Sequence, residues 1–340
     1  VIGGNESNPM LETRFSMLND PARFASETRL HEPGTTANAQ GITQNSAAIA
    51  DSQSAGESCP PPLAWPEVVA AYRSQSTPWE LSNGSRHLVG RTWGNGLPLY
   101  FLNGFAATAE MSSLTLWLLK DQFRCIVFDT HDDRAARTAR PRMSDFTSDL
   151  FAAADLHEDR TLRVFGPSFG AAVALAAARE IPERFAGIVL QHGFSQRRLS
   201  VAERMLSELC GLTHFPLSSF PGRRRIQELN HRRWFPPFDT TRFEFLIEST
   251  GSLRLADLAG KAMALAAFDL TEQLHEVTCP ILLLRTEGES RVETQCQLQL
   301  ERGLKQSRTE WMHSAGQHPC LTHPHRLAKV LKSFFPSDLA

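Results

Sequence analysis

A serine with a glycine two residues away on each side is the strongest chemical signal in this chain. Residues 163–175 read Arg-Val-Phe-Gly-Pro-Ser-Phe-Gly-Ala-Ala-Val-Ala-Leu, which sets Ser168 between Gly166 and Gly170. An apolar run leads in and an Ala-rich run leads out, giving the strand, sharp turn and helix that a G-x-S-x-G nucleophile requires. At the tip of such a turn the serine backbone is strained. The residues two before and two after crowd the strand and the helix, and glycine has no side chain to clash there. Ala171 and Ala172 then let the first helical turn lie close to a sheet. The Ser168 hydroxyl is thereby presented above the sheet at the positive end of a helix, as a nucleophile must be. The plainer alternative is a Gly/Ser loop entering a core helix.

Other groups of reactive side chains are weaker. His231 with Asp239, and the group His313, His318, His323 and His325, lack the spacing that sets metal ligands on one helix face beside a carboxylate. Gly94-Asn95-Gly96 has no following Lys-Ser/Thr and is not a phosphate loop. No metal and no cofactor are therefore expected. Arg223-Arg224-Arg225 and His231-Arg232-Arg233 are suited to a substrate carboxylate or phosphate, or form a solvated helix face.

The 340 residues carry a net charge of −2 and 41% hydrophobic residues, with 21 Phe, which supplies ample core. That balance gives no electrostatic case for nucleic acid or an anionic membrane as partner. No run approaches the roughly 18 apolar residues of a membrane span, and no charged-then-apolar secretory segment is evident. Six scattered cysteines without a C-x-x-C pair suit reduced thiols in a cytoplasmic protein. Residues 1–62 are rich in Ser, Ala, Asn, Gln and Gly, and cannot bury enough to offset their ordering entropy. They are expected to be a disordered tail, closed by Cys59-Pro60-Pro61-Pro62.

From residue 63 onward the chain must build what positions Ser168. A short helix over 66–73 precedes strand-like runs at 87–93 and 97–102, with Gly94-Asn95-Gly96 expected as a hairpin turn between them. A helix to residue 119, a strand at 124–128 and a helix over 143–155 lead to the Ser168 strand and its helix. A strand follows at 186–190. Residues 197–265 then turn helical and aromatic, with Phe215, Phe220, Trp234, Phe235, Phe238, Phe243 and Phe245. Alternation resumes with strands at 281–284 and 308–312, and helices at 293–303 and 325–335. This pattern is α/β: a doubly wound, mostly parallel sheet interrupted by an inserted helical cap at about 197–265.

With these parts in order, residues 88–335 resemble the α/β-hydrolase fold family in its capped form, like the serine esterases and lipases. One strand ends in Asn103-Gly104-Phe105, where the family usually shows His-Gly. Gly166 to Gly170 resembles its nucleophile elbow, and Pro280 to Leu284 the strand before its triad acid. Ser314-Ala315-Gly316-Gln317-His318-Pro319 resembles its histidine loop. The resemblance implies acyl transfer, with Ser168 attacking a carbonyl carbon and a histidine taking its proton. Backbone N–H groups of Phe105 and Phe169 would form the oxyanion hole. A catalytic set of Ser168, His318 and Glu289 follows, in the order of the family.

Three positions depart from the pattern. Glu289 stands where the family has Asp, with Glu287 as competitor. Ungapped counting from His323-Pro324 puts Gln317, not His318, in the histidine slot, and a one-residue loop shift restores His318. Asn103 replaces a histidine that supports the oxyanion loop. Asn103, Gly104, His192 and Trp234 are expected at the substrate pocket, under an aromatic cap suited to a small apolar ester, thioester or related carbonyl compound. The second expectation is a catalytically impaired binding or scaffold protein on the same fold. Oligomeric state is open.

Overall fold

The computed structural model describes residues 64–132 and 140–336, Asp132 by its backbone alone. The tail expected over 1–62 lies outside the described residues. The central strands are apolar because both of their faces are covered. All six residues of β7 (Ile281–Thr286) are buried, as are most of β5 (Leu162–Pro167) and β6 (Phe185–Gln191). With β1 (Thr77–Asn83), β2 (Arg86–Trp93), β3 (Leu97–Phe101), β4 (Phe123–Asp132) and β8 (Ser307–Met312), they form one sheet of eight strands. Its order is β1-β2-β4-β3-β5-β6-β7-β8, with the β1–β2 and β2–β4 pairs antiparallel and the pairs from β4–β3 onward parallel.

Alternation along the strands divides the core in two. Tyr100, Val164, Ile188, Leu190, Ile281 and Leu283 face one side, where α3 (Met143–Leu156), α4 (Phe169–Glu180) and α9 (Arg291–Gly303) pack. Leu99, Phe101, Phe165, Val189, Leu282 and Leu284 face the other. There α1 (Trp65–Gln75), α2 (Ser113–Leu119) and α11 (Pro324–Phe334) close the core. Ala171, Ala172, Ala174, Ala177 and Ala178 of α4 are fully buried, so the helix lies close against the sheet. Between β6 and β7 the chain forms α5 (Val201–Cys210), α6 (Arg223–His231), α7 (Thr241–Gly251) and α8 (Leu255–Ala266), matching the helical stretch expected there. A one-turn α10 (Pro319–Thr322) precedes α11. Among the described residues no helix is long and apolar enough to cross a membrane.

One local expectation is overturned. Gly94-Asn95-Gly96 is not a hairpin turn, because β4 lies between β2 and β3. The tripeptide instead carries the chain beneath the start of β4. Asn95 N–H donates to the Lys120 carbonyl at 3.1 Å, and Gly94 has φ 90°. A Cβ on Gly94 would stand 2.2 Å from the Lys120 carbonyl oxygen. Gly94→Ala therefore combines an unfavourable φ with a backbone clash and should lower stability by about 1–3 kcal/mol. Urea unfolding measures this directly, and an unchanged midpoint would contradict the close packing of Gly94 on Lys120.

Candidate active site

The turn from β5 into α4 puts Ser168 in a conformation that few L-residues adopt. Its φ and ψ are 51° and −108°. The turn closes tightly: a Cβ on Gly166 would lie 2.6 Å from the Gly170 carbonyl oxygen. One on Gly170 would lie 2.8 Å from Leu102 Cβ and 3.0 Å from the Asn103 carbonyl oxygen. The Ser168 N–H is tied to the Gln191 carbonyl at 2.8 Å, which fixes the turn to the end of β6. Among the described residues the Ser168 hydroxyl has no hydrogen-bond partner. It opens instead into two cavities, of about 240 and 320 Å³, which share Phe105, Ser168, His192 and Glu293.

Phe169 follows Ser168 in the chain, and Phe105 lines both cavities with it. Phe105 follows β3 and Phe169 is the first residue of α4, and neither N–H donates to an acceptor among the described residues. The loop carrying Phe105 is held from below by Asp129. The Asn103 amide donates to the Phe128 carbonyl at 2.9 Å and to Asp129 Oδ1 at 2.7 Å. The Ala109 N–H donates to both Asp129 oxygens, at 3.0 and 3.2 Å. Burial pushes the Asp129 carboxyl pKa up, while the Ala109 N–H and the Lys261 ammonium pull it down. Asn103 and Gly104 line the smaller cavity, and the Asn103 amide points into the loop's support.

Three histidines, His192, His231 and His318, line the smaller cavity with Ser168. His192 follows Gln191, the partner of Pro167 in the β5–β6 register, and so sits beside Ser168 with φ 50°. Its Nε2 lies 2.7 Å from the buried Thr286 hydroxyl. His318 lines the smaller cavity, and its ring meets that of His231 edge-on at 4.7 Å between centroids. Burial, with His231 and His192 close by, lowers the His318 pKa to about 3. Burial likewise lowers His192 and His231.

The expected acid is elsewhere. Glu289 is buried in an ion pair with Arg285, Oε2 to Nη2 2.7 Å, and accepts from the Thr286 N–H at 3.2 Å. Arg285 sits four residues before it at the end of β7, stacked over Trp311, and captures the carboxylate before it reaches His318. Glu287 is no substitute: it is exposed and pairs with His313 at 3.1 Å. Gln317 and His318 both line the cavity. The Gln317 amide donates to Glu293 Oε1 at 3.1 Å, and its carbonyl accepts from Gln191 Nε2 at 2.9 Å. Glu293 also caps α9, accepting from the Ser290 N–H at 2.7 Å. Trp234 does not line the cavity but lies flat on the Gly316 backbone, where a Cβ would meet its Cγ at 2.4 Å.

Sequence reasoning missed Asp129, Thr286, Glu293 and Lys261. Lys261 alone carried a local signal, as the sole cation in the Ala- and Leu-rich segment Leu255–Ala266. Among the described residues no group of three His, Cys, Asp or Glu side chains is arranged to hold a metal ion.

No protein-family model matches the sequence. A proline iminopeptidase of Lacticaseibacillus rhamnosus (strain Lc 705) is 31% identical over 99 residues, 27% of this chain. The chain spans only about a third, 32%, of that relative's length. Among solved structures, a thermophilic esterase from Thermogutta terrifontis superposes with a TM-score of 0.64 at 21% identity, over 76% of this chain and 97% of its own. An enol-lactonase from Burkholderia xenovorans LB400 gives 0.62 at 14%, over 75% and 99%. An alpha/beta hydrolase from a Medee basin deep-sea metagenome library gives 0.61 at 13%, over 76% and 97%. Strand order, the strained serine after β5 and these superpositions agree that the chain has the α/β-hydrolase fold.

Proposed function

We propose that the protein is a serine hydrolase that cleaves a small, largely apolar ester, thioester or related carbonyl compound through an acyl-enzyme on Ser168. One observation carries this reading: a strained serine with a free hydroxyl where two cavities meet, with unpaired backbone N–H groups on the next residue, Phe169, and on Phe105, which lines both cavities. The esterase and lactonase among the structures of similar fold support it. In the step itself, Ser168 Oγ attacks the carbonyl carbon and its proton passes to a ring nitrogen of His318. The Phe105 and Phe169 N–H groups hold the oxyanion. Collapse expels the alcohol or thiol, which takes the proton back, and water then releases the acid by the same route. Helices α5–α8 act as the cap over the site, and the cytoplasm is its proposed location.

The electrostatics shape the rate. With a pKa near 3, His318 is neutral and able to accept a proton at any ordinary pH. Among the described residues no carboxylate pairs with it to stabilise the imidazolium, so turnover is slow compared with enzymes whose base is tuned near the working pH. The engagement of Glu289 by Arg285 also favours a second reading, a binding protein that keeps the pocket and lacks turnover.

Labelling with a fluorophosphonate probe separates the two. The expected outcome is modification of Ser168, abolished by Ser168→Ala and slowed about 10²- to 10⁴-fold by His318→Ala. Absence of labelling on folded protein would remove the hydrolase reading and leave the binding protein. Because His318 stays neutral, the labelling rate should hold flat from about pH 8 down to about pH 5. A fall centred near the ordinary histidine pKa of about 6.5 would show that the ring titrates as an exposed imidazole does.

Glu289→Gln should destabilise the fold by up to about 3–5 kcal/mol, since it leaves the buried Arg285 charge only its longer pair with Glu301 at 3.9 Å. The labelling rate per folded molecule should change little. A large loss of rate without loss of stability would return Glu289 to the catalytic set.

The histidines also set an acid limit on stability. Each of His192, His231 and His318 is held neutral when folded and takes up a proton below about pH 6.5 when unfolded. Their contribution is thus intact above about pH 6.5 and is lost as the pH falls below it, for His318 down to about pH 3. A His231→Phe/His318→Phe double variant should flatten the fall in urea stability between about pH 6.5 and about pH 4.5. An unchanged slope would show that these rings are not held neutral.

A further inference from the structure

Helix α8 sends one cation toward the elbow. Lys261 Nζ donates to the Gly104 carbonyl at 3.4 Å and to the Phe105 carbonyl at 3.2 Å. The same ammonium lies 5.5 Å from the centroid of the Phe169 ring. One side chain therefore touches both Phe105 and Phe169. It also shares a small cavity with Asn103, Asp129 and Gly170, below the oxyanion loop. Burial lowers the Lys261 pKa, the Asp129 and Asp257 carboxylates oppose that shift, and Arg86 adds to it.

The contact with Gly104 has a directional consequence. The Gly104–Phe105 peptide is trans, so its C=O and its N–H point in opposite directions. A cation fixing the Gly104 oxygen on the α8 side turns the Phe105 N–H the other way. The smaller of the two cavities, which has Ser168 and Phe105 in its wall and no residue of α8, lies in that direction. Holding the carbonyl against a positive charge also polarises the peptide and makes its N–H a stronger donor. Among the described residues no other charged group bonds to these two carbonyls. Asp129 holds Asn103 and Ala109, at the two ends of the loop, and leaves Gly104 and Phe105 to the lysine.

We infer that Lys261 is a positioning residue that aims and strengthens the Phe105 N–H as an oxyanion donor, making oxyanion stabilisation depend on helix α8. This rests on the reading of Ser168 as nucleophile. The lysine touches no reacting atom and acts through the peptide it holds.

The test uses full-length protein and its hydrolysis of a p-nitrophenyl ester, with fluorophosphonate labelling alongside. Lys261→Met keeps the apolar stem and removes the cation; Lys261→Arg keeps the charge and the donors. Lys261→Met should lower kcat and the maximal labelling rate about 10- to 100-fold, less than or equal to the loss of a whole oxyanion donor, with KM nearly unchanged. Lys261→Arg should recover most of that loss. A Lys261→Met protein that labels at the wild-type rate overturns the inference and leaves the hydrolase reading standing. Equal losses in both variants, matched by a fall in Tm, overturn it in favour of a packing role. Should wild-type protein fail to label, the hydrolase reading fails, and the orientation claim is decided by the residual dipolar coupling of the ¹⁵N-labelled Phe105 N–H. A changed N–H direction in Lys261→Met upholds it, and an unchanged one overturns it.

Discussion

The site depends on one steric constraint, the approach of Gly166 to Gly170 beneath a serine held at positive φ. Were either glycine to carry a Cβ, the strand-to-helix turn would open by the width of a methyl group, because the atoms facing each position are backbone or core and cannot swing aside. Strain of this kind costs on the order of 1–3 kcal/mol and persists only where the surroundings over-determine it. Here they do. The Ser168 N–H is tied to β6 through Gln191, the helix behind it is a run of fully buried alanines, and the Gly170 backbone rests on Leu102 and Asn103. The last contact joins the elbow to the loop bearing Phe105, so the serine and the Phe105 and Phe169 N–H groups are placed by a single packing arrangement.

Charge around the serine is arranged to the same end. The carboxylates nearest the cavity are already engaged: Glu289 by Arg285, Glu293 by Ser290 and Gln317, Asp129 by Asn103 and Ala109. The three histidines are pushed toward their neutral forms, by burial first and, for His318, by the other two. A negative charge developing at a bound carbonyl would thus meet backbone dipoles and a distant ammonium, and Glu293, the carboxylate that lines both cavities among the described residues, is already held by Ser290 and Gln317. A positive charge developing on His318 would meet nothing comparable. In the proposed reading the oxyanion side of the transition state is well served and the imidazolium side poorly, the reverse of a site built around a strong Asp–His pair.

Which parts were legible in the sequence follows from how far each signal reaches along the chain. The elbow was legible because strand, turn and helix adjoin, and its glycines answer largely to contacts close in sequence. The parallel strands were legible for a similar reason, as continuous apolar runs buried on both faces. Gly94-Asn95-Gly96 misled because a hairpin and a crossover share the same local turn chemistry. Only the distant strand β4, inserted between β2 and β3, tells them apart. Glu289 misled because counting along the loop cannot reveal that Arg285, at the end of the same strand, claims its carboxylate first. Trp234, expected at the pocket, instead packs against Gly316 and so shapes the histidine loop from outside.

That same helical stretch bears on how the fold could be adapted. His231 at the end of α6 meets the His318 ring, and Lys261 in α8 holds the carbonyls of the loop beside Ser168. Both side chains come from the segment between β6 and β7, while Ser168, Phe105 and Phe169 belong to the sheet and its turns. The sheet therefore supplies the groups that would form and stabilise a tetrahedral centre. The helices supply the groups that bias the protonation of His318 and hold the oxyanion loop. In the proposed reading, a change of sequence in α6 or α8 would then alter reactivity while the elbow stays unmoved, and the helical segment would be part of the chemistry as well as a wall of the pocket.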